Sequence, residues 1–205
     1  MNMHFLDIAL NNAVNFPIFT LGPKGTSSEY ASHHFSNWMK NRYSESDHSI
    51  FLNNTYEEAR DNLHKADGLL IVANAYSQVN DFYMDPKLTL LGSFLFDTPM
   101  YGLATKNKVA DRPLVVASHP APVPLIRELL PEGMKIERVV EMKSTSAAAA
   151  AVVEGQVDLA LTTEVAAGLH QLKFISRVRP IHMLWSVFSS AQPKALEQIK
   201  EVSND

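Results

Sequence analysis

The 205-residue sequence contains no cysteine, which removes disulfides, thiolate metal centres and a cysteine nucleophile at once. It has no strong excess of charge: 18 Lys and Arg stand against 22 Asp and Glu, a formal net charge of −4. Nucleic acid and anionic membrane surfaces are therefore not expected as partners, and any bound anion must be held locally. No run is apolar and long enough to span a bilayer, and the first fifteen residues carry an Asp inside a short apolar stretch with no basic lead, unlike a secretory leader. The expectation is a cytoplasmic protein without a membrane partner. No repeat of fixed period, no Gly/Ser-rich or Pro-rich linker and no low-complexity tract is present, apart from one alanine run. Chemical signatures are scarce too. His33 and His34 are adjacent and cannot share a helix face, and HExxH, P-loop, dinucleotide and nucleophile-elbow patterns are missing. Neither metal nor cofactor is expected.

What is present is a globular composition, 46% hydrophobic and 20% charged, with enough chain for one domain or two small lobes. β-prone runs alternate with helical stripes, predicting an α/β fold with mostly parallel sheets. Strands are expected near 16–21, 50–52, 69–73, 87–96, 100–105, 114–118, 135–141, 157–162 and 181–188. Helices are expected near 27–41, 56–64, 123–130 and 146–154, with a short amphipathic one at 194–202. If the chain crosses between lobes near 90–97 and 178–185, lobe one is built from roughly 15–95 plus 182–205 and lobe two from 96–181. Ligands of such folds sit in the cleft between lobes.

Two segments carry chemistry. Gly22, Pro23, Lys24 and Gly25 turn the chain after a strand, and Thr26, Ser27 and Ser28 then open a helix; unpaired N–H groups and the positive dipole end suit a carboxylate or phosphate. Ser144, Thr145 and Ser146 open a second, alanine-rich helix that stops at Gly155. Each alone reads as ordinary helix capping. On opposite lobes they would form two anion sites facing one dicarboxylate. His119 stands where a strand meets a Pro-containing turn, a position that suits a functional group or a surface histidine. Tyr83, Tyr101 and Trp185 read as core aromatics.

Taken in order, these segments resemble prephenate dehydratase. LGPKGTSSEYA (21–31) is similar to that family's opening motif, ASHP (117–120) to its strand-end Ser-His-Pro, STSAAAAAVVEG (144–155) to its Ser-Thr helix, and ALTTEVAAGLHQLKFIS (160–176) to the strand and helix that follow. The resemblance implies a two-lobed fold of the periplasmic-binding-protein type II kind. Two departures matter. The family's Thr-Arg-Phe motif, which assists hydroxyl loss and binds a carboxylate, is replaced by a stretch reading Ile181, His182, Met183, Leu184, Trp185, Ser186, Val187 and Phe188. Its Glu-Asn-Ser is replaced by Val72, Ala73, Asn74, Ala75, Tyr76 and Ser77. No regulatory ACT-type domain is expected after residue 205. The altered pattern, with TLGPKGTSSEYA, FYMDPKL (82–88), FDTPMYGLA (96–104) and MLWSVF (183–188), resembles the non-aromatising prephenate decarboxylases of the bacilysin and anticapsin type.

That resemblance implies loss of CO2 from prephenate with the ring hydroxyl retained, since no group is left to assist its departure. The expected substrate-binding residues are Lys24, Gly25, Thr26, Ser27, Ser28, Asn74, Phe82, Met100, Ser118, Ser144, Thr145, Ser146, Thr162 and Trp185. Phe82, Met100 and Trp185 would form an apolar wall around the departing carboxylate, and Lys24, Arg60 and Lys143 are candidate cations for the other one. Tyr76, Tyr101 and His119 are candidates for the ring-carbon proton donor. A homodimer is one assembly to expect. The alternatives are a dehydratase giving phenylpyruvate and a non-catalytic cytoplasmic small-carboxylate binding module.

Overall fold

A computed structural model describes residues 5–7, 10–44 and 46–190; the helix expected at 194–202 lies outside the described residues. Contacts divide the chain into two units. One comprises the chain up to Leu21, Ala31–Phe96 and the chain from Met183; the other comprises Gly22–Tyr30 and Asp97–His182.

The first unit holds a six-stranded sheet of β1 (Phe5–Asp7), β2 (Ile18–Leu21), β3 (Ile50–Asn53), β4 (Leu69–Ala73), β5 (Thr89–Leu95) and β11 (Leu184–Ser189), in the order β1-β5-β11-β4-β2-β3. β4, β2 and β3 run parallel, whereas β11 is antiparallel to β4 and to β5, and β1 is antiparallel to β5. β4 reads LLIVA, the near-continuous apolar run of a strand covered on both faces. On one face Ile71, Phe94, Trp185 and Val187 pack with Phe35 and Met39 of helix α1 (Ser27–Arg42). On the other, Leu70, Val72 and Phe188 meet Tyr56, Ala59 and Leu63 of α2 (Tyr56–Leu63) and Phe82 of α3 (Val79–Met84). Helix α2 starts at an N-cap: Thr55 Oγ1 accepts from Glu58 N at 3.0 Å, and Glu58 Oε2 accepts from the N–H of Asn54, the residue before the cap, at 2.9 Å.

The second unit holds β6 (Tyr101–Thr105), β7 (Leu114–Ser118), β8 (Ile136–Glu141), β9 (Leu159–Thr163) and β10 (Lys173–Phe174), ordered β10-β6-β9-β7-β8. Here β9, β7 and β8 are parallel, and β6 is antiparallel to β9 and β10. Helix α5 (Thr145–Val153) lays Ala148, Ala149, Ala151 and Val152 among Ala117 and Ala160 of the central strands, where only small side chains let helix and sheet approach. Helices α4 (Leu125–Leu129) and α6 (Glu164–Leu169) complete the unit.

Both sheets are therefore mixed, each with a parallel core of three strands, where the strand-helix rhythm predicts mostly parallel sheets. That rhythm counts elements and is blind to direction: β5, β6 and β11 join without an intervening crossover helix and run antiparallel to a neighbour. The short β1, β10 and α3 and the 3-10 turn Leu10–Ala13 were not expected. Among the described residues no helix is long and apolar enough to cross a membrane.

Candidate functional site

In open α/β sheets ligands gather at the carboxyl ends of the parallel strands. In the second unit that edge carries Ser118, the last residue of β7, and His119 after it, Thr162 and Thr163 closing β9, and Tyr101, which opens β6 opposite Thr163. The helices that follow β8 and β9 begin there, α5 capped by Ser144, whose side chain accepts from Ala147 N at 3.0 Å, and α6 by Thr163, which accepts from Ala166 N at 3.2 Å. The loop before α1 docks on the same edge. Ser146 Oγ donates to Lys24 O at 2.8 Å, Thr163 Oγ1 to Gly25 O at 3.2 Å, and Ser27 Oγ lies 3.0 Å from the Tyr101 hydroxyl. Gly25 has φ +89°, and a Cβ there would lie 2.8 Å from Leu169 Cδ1, so both backbone shape and close approach require glycine. Its N–H donates to Glu29 Oε2 at 2.6 Å, while Thr26 Oγ1 accepts from Glu29 N at 3.2 Å.

These bonds correct the expectation that the two serine-threonine helix starts stand on opposite lobes. Both belong to the second unit, because the 22–30 loop finds its partners on β6, β9 and α5 rather than on the sheet that precedes it. Thr26, Ser27, Ser28, Ser144, Thr145 and Ser146 are all buried, and Lys24 and Lys143 are exposed. Several of the hydroxyls hold the fold together: Thr162 Oγ1 donates to Thr145 O at 2.8 Å and Ser118 Oγ to His119 O at 2.8 Å. In the first turns, Glu29 N of α1 is taken by Thr26 Oγ1 and Ala147 N of α5 by Ser144 Oγ; the N–H groups of Thr145 and Ser146 stand before the first intrahelical acceptor of α5.

Tyr101 is 4% exposed; burial pushes its phenol up, against the opposing pull of hydrogen bonds from Ser27 and Thr145. His119 is half-buried. Burial lowers its pKa from the usual 6.5, opposed by the nearby Glu141 carboxylate. Ala121 N donates to His119 Nδ1 at 3.2 Å, so hydrogen bonding assigns the neutral tautomer with its proton on Nε2.

The first unit has a second polar edge. Beyond β4, Asn74 Nδ2 donates to the Tyr83 hydroxyl at 3.2 Å, and Ser186 Oγ donates to Asn74 Oδ1 at 2.8 Å. With the serine proton so used, the 2.6 Å contact between Tyr83 and Ser186 is a bond from the phenol to the serine oxygen, closing a three-membered ring. Beside it Tyr76 donates to Glu57 Oε1 at 2.8 Å, and Ala73 N donates to the Tyr56 hydroxyl at 3.2 Å. The Tyr76 phenol is raised above its ordinary range, chiefly by burial and then by the Glu57 carboxylate, and is a poor acid.

Several expected roles meet the packing differently. Phe82 and Trp185 are each 1% exposed and sit in core clusters, the indole Nε1 donating to Phe96 O at 3.0 Å, so neither forms the expected apolar wall; Met100, 39% exposed, is the member of that trio at the surface. Arg60 is committed to Asp61 at 3.3 Å and Asp85 at 3.8 Å, and lies over the Phe82 ring. Tyr83, read as a core aromatic, is 39% exposed. Sequence reasoning passed over Thr163, Tyr83 and Ser186. The first had a signal, as a Thr directly before a helix that begins with Glu. Ser186 was visible only as one of two hydroxyls in a mostly apolar strand.

No family model matches the chain. It is 40% identical over 179 residues to a prephenate decarboxylase of Planktothrix agardhii, covering 82% of this chain and 85% of that one. It is 40% identical over 176 residues to a prephenate decarboxylase of Bacillus subtilis strain 168, covering 82% and 84%. Among solved structures, prephenate dehydratase from Arthrobacter aurescens in complex with L-Phe is similar with a TM-score of 0.62 and 14% identity over 86% of this chain, which spans 61% of that enzyme's length. The periplasmic VFT2 domain of Bordetella pertussis BvgS is similar with a TM-score of 0.55 and 17% identity over 89% of this chain and 84% of that one. At these identities the solved structures establish the fold, the two-unit α/β architecture shared by prephenate dehydratase and periplasmic-binding-protein-like domains.

Proposed function

This chain belongs to the prephenate decarboxylase family, and on that premise we propose that it decarboxylates prephenate and keeps the ring hydroxyl, giving a dihydro-4-hydroxyphenylpyruvate. The observation that carries the reading is the 40% identity over 82% of the chain to enzymes of that name. The chemistry needs little machinery. When CO2 leaves the quaternary ring carbon, its bonding electrons enter the ring diene, and a proton must then reach a ring carbon or the hydroxyl must leave. Ejecting hydroxide requires an acid at that oxygen. The Thr-Arg-Phe motif that serves this purpose in the dehydratases is missing between Ile181 and Phe188, which supports protonation on carbon.

In this proposal the Thr145 and Ser146 N–H groups at the start of α5, with the exposed Lys143 next to them in sequence, hold the pyruvyl carboxylate at the carboxyl edge of the second unit. His119 delivers the ring-carbon proton, because the phenols of Tyr76 and Tyr101 are both pushed up and are weaker acids than an ordinary tyrosine. A cytoplasmic location, a homodimeric form and a place in antibiotic or other specialised biosynthesis of the bacilysin kind belong to the same proposal. Incubating the purified protein with prephenate and recording the ultraviolet spectrum and product mass tests it. A hydroxylated dihydro product is expected; phenylpyruvate would make the chain a dehydratase, and unchanged substrate would leave a binding module.

A further inference from the structure

The six-stranded sheet of the first unit ends at β3, whose outer side carries no strand among the described residues. On its inner side β3 runs beside β2, from Ile50 opposite Ile18 to Asn53 opposite Leu21. Ile18 N donates to Ser49 O at 2.8 Å, which fixes the phase of the ladder. Phe51 turns its N–H and C=O toward β2, so those of Ile50 and Leu52 point away from the sheet. They have no partner among the described residues. The inner side is used more than once: Asn53 Nδ2 donates to Thr20 O at 3.2 Å and to Phe51 O at 3.0 Å. Side chains sharpen the contrast. Phe51 is 50% exposed and Leu52 36%, and the Phe51 ring stacks on Phe19 with centroids 5.3 Å apart. Alternation puts Ile50 and Leu52 on the opposite face, where Ile50 packs against the core cluster that holds Phe35 and Met39. An edge of this kind is a template for another chain unless charge, shortness or cover blunts it. The other sheet edges are blunted: β8 carries Glu137, Arg138 and Glu141, β10 is two residues long and β1 three. β3 reads Ile50, Phe51, Leu52 and Asn53, without a charge.

We propose that β3 is the subunit interface of a homodimer, pairing antiparallel with β3 of a second copy of this chain. What selects a copy is self-complementarity. Turned about a two-fold axis, the strand offers its N–H and C=O at Ile50 where its mate offers them at Leu52, and the reverse, so every outward group finds a partner. That register sets Phe51 opposite its own copy in a non-hydrogen-bonded pair, where side chains stand closest, and the two rings extend the Phe19 stack. Ile50 and Leu52 of the two copies meet on the other face. No like charges oppose one another, because the strand has none. The pairing makes no use of the prephenate chemistry and stands whatever the substrate is.

Wild type should sediment as a dimer at about 50 μM, a concentration that populates any dimer of low micromolar Kd. Leu52→Lys puts a charge on each side of the pairing edge and should raise that Kd at least about 10-fold, while its circular dichroism spectrum stays that of wild type. The absence of cysteine supplies a second measurement, independent of whether that variant folds. In the proposed register residue 51 and its copy have Cα atoms about 4.5 Å apart, within the span of a disulfide. Phe51→Cys should therefore give a disulfide-linked dimer under mild oxidation, whereas Val153→Cys, at a residue 38% exposed on α5, should not. A wild-type monomer overturns the proposal, whether the edge is open or taken by some other strand. So does a dimer that folded Leu52→Lys leaves intact, that Phe51→Cys fails to cross-link, or in which both cysteine variants cross-link equally, since its interface would then lie elsewhere.

Discussion

At the scale of single residues, the histidines separate by what their nitrogens face. His48 is buried; its Nδ1 donates to Phe16 O at 2.6 Å and its Nε2 lies 2.7 Å from Ser46 Oγ, which in turn donates to Val14 O at 2.7 Å. Replacing His48 by alanine strips partners from two buried groups, and a loss of about 2–3 kcal/mol is expected in urea melts. His119 and His34 behave otherwise, since burial lowers the pKa of both from 6.5. The fold then prefers the neutral imidazole, and the unfolded chain binds more protons. Their contribution to stability is fully present above pH 6.5 and is lost as pH falls through that value toward the lower folded one. Urea midpoints should therefore drop between pH 7.5 and 5.5, less so in His119→Gln. Activity should move in the opposite direction. Delivery of the Nε2 proton needs Nδ1 to take one up, so kcat should rise as pH falls over the range where the fold holds. His119→Gln should lose that slope and about 100-fold in kcat; a flat wild-type profile would remove His119 from proton delivery.

Among the elements, the loop before α1 shows how a turn is welded to a sheet. Gly25→Ala forces a side chain into the left-handed region against Leu169 and displaces the carbonyl that Thr163 uses. A destabilisation of about 1–3 kcal/mol is expected, read from thermal melts, together with weaker prephenate binding. β9 is pinned at its other end by Asp158, which takes a bidentate pair from Arg112 at 2.7 and 3.0 Å and a bond from Val115 N at 2.8 Å. Burial raises the Asp158 pKa, but the Val115 N–H and the Arg112 charge outweigh it and the net shift is downward. The helices and most strands were legible in the sequence because hydrophobic period, Gly stops and Ser/Thr caps are local. β4 and β7 were expected at the bounds observed, and α5 within one residue at each end. Strand direction was not legible, since nothing local distinguishes a β11 that returns antiparallel from one that follows a crossover.

For the whole molecule, neither unit is a contiguous piece of chain: the second needs Gly22–Tyr30 as well as Asp97–His182. A fragment of residues 97–182 alone leaves Ser146 and Thr163 without the Lys24 and Gly25 carbonyls and Tyr101 without Ser27. It should give no cooperative melt by circular dichroism, and adding a peptide of residues 20–31 should restore order if this loop is what is missing. The 205-residue protein should keep its decarboxylase activity through exhaustive chelation and dialysis, because the substrate's own diene takes up the electrons. Dependence on an added metal or coenzyme would require a different mechanism.

The sequence by itself determined the family, the α/β class, the anion-suited helix starts and the loss of the Thr-Arg-Phe motif, because each is a matter of which residues stand in order along the chain. Only the tertiary structure decided which groups meet. It put both helix starts in one unit, turned Trp185 and Phe82 into core and committed Arg60 to Asp61 and Asp85. It also brought Ser186 to Asn74 across 112 positions and to Tyr83 across 103. Hydrogen bonds between residues that far apart depend on sheet register and on the side of a strand a residue faces, and neither is written in any local pattern.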